Sequence, residues 1–431
     1  MNSDTSQTDT GQNAVVEYIS EHRRELLDFT LELLSLDTSN PPGETREIVD
    51  LLGERLRALP VGVERFAVDP GKPNLLVSVP GETDRTLLYN GHLDTVPFDA
   101  EAWSYDPLGE RVGDRLYGRG ATDMKGALAS MVFALRAFAE TDTEPPVTLQ
   151  FAFVSDEEVG GDAGLPALLE AGHLDADACV IGEPTCEEGR HSVTVADRGS
   201  IWLTLEASGE AAHGSRPTLG ENAIDRLYGA IQRLRERFDT RALDIATEVQ
   251  PIIEESIEYY TPAMGEETAR DLFESPSINL GTIEGGEAIN SVPQSATAEI
   301  DIRLSPSVQT PDVLSEIRAC VTDCEGVTVA DVSWSIGTAE AVDSPLVDAV
   351  ASVAGEVTGA RVYRRSATGG GDAKKLRNAG IPTVEFALGT DTVHAVDEYT
   401  TEEALVGNAM VYTQLPFRWH ENTADTEHPS Q

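Results

Sequence analysis

The chain has 431 residues, and its 75 acidic against 31 basic side chains give a formal net charge of -44. That length is enough for one large core and a smaller one, and the sign of the charge argues against electrostatic binding to nucleic acid or to an anionic membrane. The acids are dispersed along the chain, which fits self-repulsion screened in a halophilic cytoplasm better than a cationic partner or nucleic-acid mimicry, either of which would gather the charge on one segment.

Residues 1–13 are polar and lack the basic start and apolar stretch of a secretory signal, and no segment approaches the roughly 20 apolar residues of a membrane span, so a cytoplasmic location is expected. Segments 1–13 and 421–431 read as disordered termini. The apolar run Thr86-Leu87-Leu88-Tyr89 leads into Gly91-His92-Leu93-Asp94-Thr95. If the run is a strand, His92 and Asp94 leave its end on one face. An imidazole binds a metal through one ring nitrogen while a nearby carboxylate takes the other ring N–H or buttresses the site. This segment alone reads equally well as a core histidine beside a turn former.

In Gly118-Arg119-Gly120-Ala121-Thr122-Asp123-Met124-Lys125-Gly126 a glycine-rich loop sets Asp123 just ahead of an apolar helical pattern at 127–139. Asp123 there is either a group whose two oxygens reach different ions or a helix N-cap. Phe151-Ala152-Phe153-Val154-Ser155 then runs into Asp156-Glu157-Glu158. Like charges at the end of an apolar strand are costly unless a cation or water lies among them, so cation binding is the better explanation, with a solvated acidic loop as the alternative. Val180-Ile181-Gly182-Glu183-Pro184 repeats the device.

From Gly199 the pattern is strand 201–207, helix 222–237, strands 277–282 and 296–304, helix 311–321 and strand 327–336, a split β-α-β order as in ferredoxin-like sandwiches. His213 lies in a loop of this region, Asn290 and Arg303 further on; Arg303 suits carboxylate binding through its fork or a strand-face pair with Asp301. The segment 239–276 is longer and more acidic than this pattern needs, and is expected to cover the rim of the sandwich. Gly369-Gly370-Gly371-Asp372 reads as a loop whose backbone N–H groups approach an anion, or as a hinge. A last strand, Pro382-Thr383-Val384-Glu385-Phe386, precedes the loop histidine of Val393-His394-Ala395-Val396-Asp397-Glu398. Cys179, Cys186, Cys320 and Cys324 give no disulfide framework, and Cys320 and Cys324, one helical turn apart, suit packing.

Taken together and in this order, the motifs around His92, Asp123, Glu158, Glu183 and His394 resemble the M20 family of metallopeptidases and deacylases, the group of acetylornithine deacetylase, succinyl-diaminopimelate desuccinylase and carboxypeptidases, over about residues 15–416. The resemblance implies an α/β fold. Its mixed, mainly parallel catalytic sheet, flanked by helices, spans 14–197 and 340–420 and is interrupted at 198–339 by a ferredoxin-like α+β lid or dimerisation domain. It implies that His92 and Glu183 hold one metal, Glu158 and His394 a second, and that Asp123 bridges them. Asp94 orients His92 and Glu157 is the general base. By the same likeness His213 serves the site of the other subunit of a homodimer as an oxyanion donor, while Asn290, Arg303 and Gly371 contact substrate.

Two divalent ions are thus the expected cofactors. Nitrogen and oxygen ligands suit Zn best and also accommodate Co or Mn, and such a pair activates water and polarises an amide carbonyl. The expected function is hydrolysis of an amide bond in a small carboxylate-bearing N-acyl amino acid, of the deacetylase or desuccinylase type. A dipeptidase or carboxypeptidase acting on a short peptide is the nearest alternative. A non-catalytic metal-containing binding protein is an alternative of another class, against which the retention of Glu157 counts, since binding needs no proton shuttle.

The dispersed charge of -44 predicts a thermal unfolding midpoint that climbs as KCl is raised from about 0.1 M to about 1 M, where the screening length falls from ~10 Å to ~3 Å. Differential scanning calorimetry checks this; a flat or falling midpoint would show that self-repulsion does not limit stability.

Overall fold

The structure, a computed structural model, describes residues 4–186, 189–238 and 241–427. The chain forms two compact units, one of Met1–Val195, Glu340–Arg364 and Gly371–Gln431, the other of Ala196–Ala339 and Arg365–Gly370.

The larger unit is built on an eight-stranded sheet ordered Gly62–Phe66, Asn74–Val79, Thr148–Val154, Thr86–His92, Ala178–Ile181, Thr383–Glu385, His191–Ala196 and Val362–Ser366. The four central strands from Thr148–Val154 to Thr383–Glu385 run parallel, while the pairs at Gly62–Phe66, Asn74–Val79 and His191–Ala196 are antiparallel. Near-continuous apolar runs such as Thr86–His92 are what two-sided burial requires. The helix Lys125–Glu140 is almost wholly buried and packs against Arg23–Leu34 and Glu402–Glu427. It also lies close on the sheet: a Cβ at Gly91 would come within 2.6 Å of Met124 and Leu128, and one at Gly182 within 2.7 Å of Met131. These two glycines immediately precede His92 and Glu183, so the close approach they permit sets how near Asp123, at the head of that helix, comes to the strand ends.

The smaller unit carries a four-stranded antiparallel sheet ordered Ser277–Gly285, Ser295–Leu304, Gly199–Ser208 and Val327–Ser335, with the helices Ala223–Phe238 and Thr310–Thr322 packed on one face. This is the ferredoxin-like order. Along Gly199–Ser208 burial alternates strictly, with Ile201, Leu203, Leu205 and Ala207 inward. Cys320 belongs to this core, and Cys324 lies beside it with its Sγ 3.4 Å from the Cys320 carbonyl.

Two segments read as disordered termini differ in the structure: 4–13 belongs to the helix Asp4–Glu21 and 421–427 to Glu402–Glu427. Their polar stretches carry no helical periodicity of their own. The first continues a helix seated by buried Val15, Tyr18 and Ile19, the second one seated by Tyr412, Leu415, Phe417 and Trp419. The segment expected to cover the rim of the sandwich forms the helices Gln250–Met264 and Glu266–Glu274. Among the described residues no helix is long and apolar enough to cross a membrane.

Candidate metal centre

The strand Thr86–His92 ends on His92, Thr148–Val154 is followed at once by Ser155-Asp156-Glu157-Glu158, and Ala178–Ile181 by Gly182-Glu183. These ends lie side by side at the carboxyl edge of the parallel strands, where open α/β sheets place their ligands. The loop carrying Asp123 is brought in differently. The short strand Arg115–Tyr117 pairs antiparallel with Tyr399–Thr401, so the residues after Tyr117 and those before Tyr399 run together, and Gly118 N donates to Glu398 O at 2.9 Å.

His92 Nε2 lies 3.1 Å from Asp123 Oδ1 and 3.4 Å from Glu183 Oε1; His394 Nε2 lies 3.1 Å from Asp123 Oδ2 and 3.3 Å from Glu158 Oε2. Asp123 therefore presents one oxygen to each imidazole. It is not a helix cap: Met124 occupies that position, without a side-chain cap bond. Single ligand atoms of His92, Asp123 and Glu158 lie within 4.8 Å of one another, and so do those of His92, Glu157 and Glu183.

The cluster draws positive charge. Burial works against a charged His92, but the carboxylates of Glu183 and Asp123 outweigh it and hold the imidazole well above its ordinary range. Contacts with Asp123 and Glu158 raise His394 to about 10. Burial, reinforced by Asp123, pushes the Glu183 carboxyl well up. For Glu157, burial and the charge of Asp372 prevail over His92 and raise the carboxyl to about 7. Protons on two imidazoles are one answer to this charge; divalent cations are another, and the donor set fits them. It consists of imidazole nitrogens and carboxylate oxygens at spacings one ion can span, and Glu158 Oε1 is buried without a hydrogen-bond partner.

Asp94 departs from its expected role. Its carboxylate oxygen is 3.8 Å from His92 Nδ1, whereas its backbone carbonyl takes that nitrogen at 2.8 Å. The carboxylate instead accepts from Glu157 N at 3.1 Å, Glu158 N at 3.2 Å and Asn40 Nδ2 at 2.8 Å. Asp94 lies only two residues beyond His92; there the main-chain carbonyl orients the ring and the side chain holds the acidic turn.

Of the other residues singled out, Gly371 lies against Glu157, since a Cβ there would be 3.0 Å from Glu157 Oε1. In the smaller unit His213 and Asn290 come together: Gly214 N donates to Asn290 O at 2.7 Å, and His213 bridges Ser291. Ser215 holds the ring at Nδ1, with its Oγ at 2.8 Å and its N at 3.2 Å, and leaves Nε2 without a contact to it. Arg303 is engaged by Asp301 through Nε at 2.8 Å and Nη2 at 3.0 Å.

The sequence reading passed over three supporting groups. Asn40 Nδ2 joins Asp94 to Asp156 Oδ1, 3.0 Å away, and Asp156 is also paired with Lys72. Glu398, fully buried, accepts from Gly120 N, Thr122 N and Asp123 N at 3.2, 2.9 and 3.0 Å and pairs with Arg119 Nη1 at 2.6 Å. Arg119 in turn donates to His394 O at 3.3 Å. The only sequence signal for Asn40 is the turn-rich Ser39-Asn40-Pro41-Pro42-Gly43; for Glu398 it is an acid four residues beyond a candidate ligand histidine.

Residues 88–418 match the peptidase family M20/M25/M40. The chain belongs to this family. Curated relatives include the succinyl-diaminopimelate desuccinylase of Xanthobacter autotrophicus, 29% identical over 401 residues and covering 90% of this chain and 97% of that protein. The enzyme of the same name from Cereibacter sphaeroides strain KD131 is 31% identical over 341 residues, 76% of this chain and 82% of its own length. Among solved structures, an M20 metallo-carboxypeptidase of Sulfolobus solfataricus superposes with a TM-score of 0.76 at 21% identity, over 92% of this chain and 99% of that one. Human carnosine dipeptidase 1 does so with a TM-score of 0.71 at 20% identity, over 95% and 99%. Both share the M20 fold, and a dinuclear metal-binding M20 peptidase of Bacillus subtilis has it too, with a TM-score of 0.61 at 16% identity over 92% and 98%. As an M20 member the chain is a metal-dependent hydrolase of amide bonds.

Replacing Glu398 by Ala leaves Arg119 buried without its carboxylate partner and frees three backbone N–H groups of the Asp123 loop. The expected loss is about 3–5 kcal/mol of unfolding free energy, read from denaturant titration, with a fall in metal affinity of about 10–100-fold in chelator competition. A variant matching the parent in both would show that this carboxylate supports neither the fold nor the Asp123 loop.

Proposed function

We propose that this M20 hydrolase is a dinuclear deacylase that releases the amine from a small N-acyl amino acid bearing a carboxylate, of the desuccinylase type. The observation that carries the reading is Asp123 placed between His92 and His394, one carboxylate oxygen toward each, with Glu183 beside the first ring and Glu158 beside the second. His92 and Glu183 would hold one ion and His394 and Glu158 the other, with Asp123 available to both. Zn suits these donors best, with Co or Mn accommodated. When bound, the ions supply Lewis acidity toward water and toward the amide carbonyl.

The rest falls to the chain's own groups. Glu157 takes a proton from the attacking water and delivers it to the departing amine. A carboxyl raised to about 7 by burial and by Asp372 is matched to both halves of that task, and cations bound beside it would bring it down toward the base form. His213, its Nδ1 edge held by Ser215, donates from Nε2 to the developing oxyanion, and Asn290 assists. In a homodimer His213 of one protomer serves the site of the other. Arg303 binds the substrate carboxylate by exchanging it for Asp301, and the backbone around Gly371 approaches the same class of anion. Names of the curated relatives favour a succinyl group on the amine. The dispersed charge of -44 supports a halophilic cytoplasm as its location.

In molar KCl, release of free amine is expected from succinyl-diaminopimelate in preference to acetylornithine and dipeptides, abolished by chelator and restored by Zn²⁺, Co²⁺ or Mn²⁺. Preferred cleavage of dipeptides moves the assignment to a dipeptidase or carboxypeptidase. Glu157→Ala is expected to keep its metal content while kcat falls by about 10³-fold; parallel loss of metal would place Glu157 among the ligands.

His213→Ala is expected to be slow alone and to regain part of its rate when mixed with His92→Ala under conditions of subunit exchange, because each hybrid dimer assembles one complete site. Absence of rescue with exchange demonstrated by mass spectrometry would confine His213 to its own protomer.

A further inference from the structure

The helices Gln250–Met264 and Glu266–Glu274 are the part of the smaller unit that the ferredoxin-like pattern does not call for, and no role has yet been given to them. They meet at Gly265, whose φ of +85° reverses the chain, and bury one face: Ile252, Ile253, Ser256, Ile257, Tyr259 and Tyr260 from the first helix, Ala269 and Phe273 from the second. The rings of Tyr260 and Phe273 lie 5.7 Å apart, tilted at 34°. The acids lie on the other face, Glu254 and Glu266 more than half exposed.

The buried face fastens two short segments of the same unit. Ser256 Oγ accepts from Ser366 N at 2.9 Å, and Tyr260 Oη accepts from Arg365 Nη1 at 2.8 Å. The Arg365 guanidinium, only 6% exposed, also lies 4.8 Å from the Tyr259 ring centre and 5.4 Å from that of Tyr260, within cation–π range. At the far end of the hairpin the Phe273 carbonyl accepts from Ser305 Oγ, the Glu274 carbonyl accepts from Leu243 N at 2.8 Å, and Ala246 N donates to Ser307 Oγ at 3.1 Å.

These anchor points bear on the substrate groups through the covalent chain. Ser305 is two residues beyond Arg303. Arg365 and Ser366 precede Thr368-Gly369-Gly370-Gly371, where Thr368 and Gly370 are exposed and a Cβ at Gly369 would meet nothing within 4 Å. Three consecutive glycines place little conformational restriction on their own backbone. The course of residues 367–370 is therefore set from their flanks, one of which is the Arg365–Ser366 anchor.

We propose that the hairpin is a positioning element for substrate binding, in which Ser256 and Tyr260, acting through Ser366 and Arg365, fix the approach to the Gly371 loop, while the Phe273 end fixes the chain beyond Arg303. This rests on the reading of Arg303 and Gly371 as substrate-binding residues. Ser256 and Tyr260 are positioning residues that act through the segments they hold, so their loss loosens ground-state binding.

The test uses the full-length holoenzyme with Ser256→Ala and Tyr260→Phe combined, which removes one acceptor and one hydroxyl but keeps both the ring and the fold of the hairpin. KM for the best substrate of the amine-release panel is expected to rise about tenfold with kcat within about twofold and metal content unchanged. Hydrogen exchange of amides 366–371 is expected to quicken, while Glu254→Ala on the acidic face changes neither. Unaltered exchange at 366–371 overturns the anchoring. Faster exchange with KM unmoved, or a fall in kcat instead, overturns the role in substrate binding. Because exchange is read without turnover, the anchoring is decided even if no substrate of the panel is cleaved, an outcome that would count against the deacylase reading alone.

Discussion

The constraint on which the larger unit turns is negative charge gathered where parallel strands end. Asp123, Glu157, Glu158 and Glu183 converge there with His92 and His394, and the ion pairs of Asp123, Glu158 and Glu183 are made to the two imidazoles. Burying carboxylates costs several kcal/mol each unless charge and hydrogen bonds are supplied. The nearby long cationic side chains are committed one layer further out, Arg119 to Glu398 and Lys72 to Asp156. Counter-charge for the inner layer thus comes from the rings or from cations, and a metal-dependent family has an evident use for a site that a proton can fill but only incompletely satisfy.

The outer layer follows one rule twice. Asp94 accepts the N–H groups of Glu157 and Glu158, and Glu398 accepts those of Thr122 and Asp123. In each case a fully buried carboxylate grips the backbone of a loop whose own carboxylate faces the centre. Side chains borne on loops would otherwise have to be ordered when a ligand arrives. Gripping the backbone moves that cost into folding, where the burial of the whole unit offsets it, and leaves the inner oxygens free.

What could be read from the sequence was whatever is encoded locally. Apolar runs that stop at His92, Glu158 and Glu183 announce strand ends, and the alternation along Gly199–Ser208 announces a half-buried sheet, because period and burial are properties of neighbours in the chain. At Asp94, whether the side chain or its own carbonyl reaches a ring two residues away depends on backbone geometry that spacing does not specify. Glu398 and Asn40 were missed for another reason: their partners lie 275 and 116 positions distant, at Asp123 and Asp156, and a lone polar residue carries no mark of where its bond will end. The helical termini belong to the same class, since polar turns are helical there only by continuing segments held down by distant packing.

Charge at the surface and charge in the site obey different rules, and the deacylase reading makes use of both. A net charge of -44 repels an anionic substrate at long range and attracts cations, so at low ionic strength the field favours metal loading and opposes substrate entry. Salt on the order of 1 M contracts the screening length to about 3 Å and removes that opposition from exposed charges, but scarcely reaches groups as buried as Asp123 or Glu398. On that reading Arg303 then meets the substrate carboxylate only at contact distance. Because Arg303 is already paired with Asp301, binding under the proposed function would be an exchange of one carboxylate for another, nearly balanced in charge, and selectivity would pass to geometry: to how firmly the chain holds Arg303 where a substrate can replace Asp301.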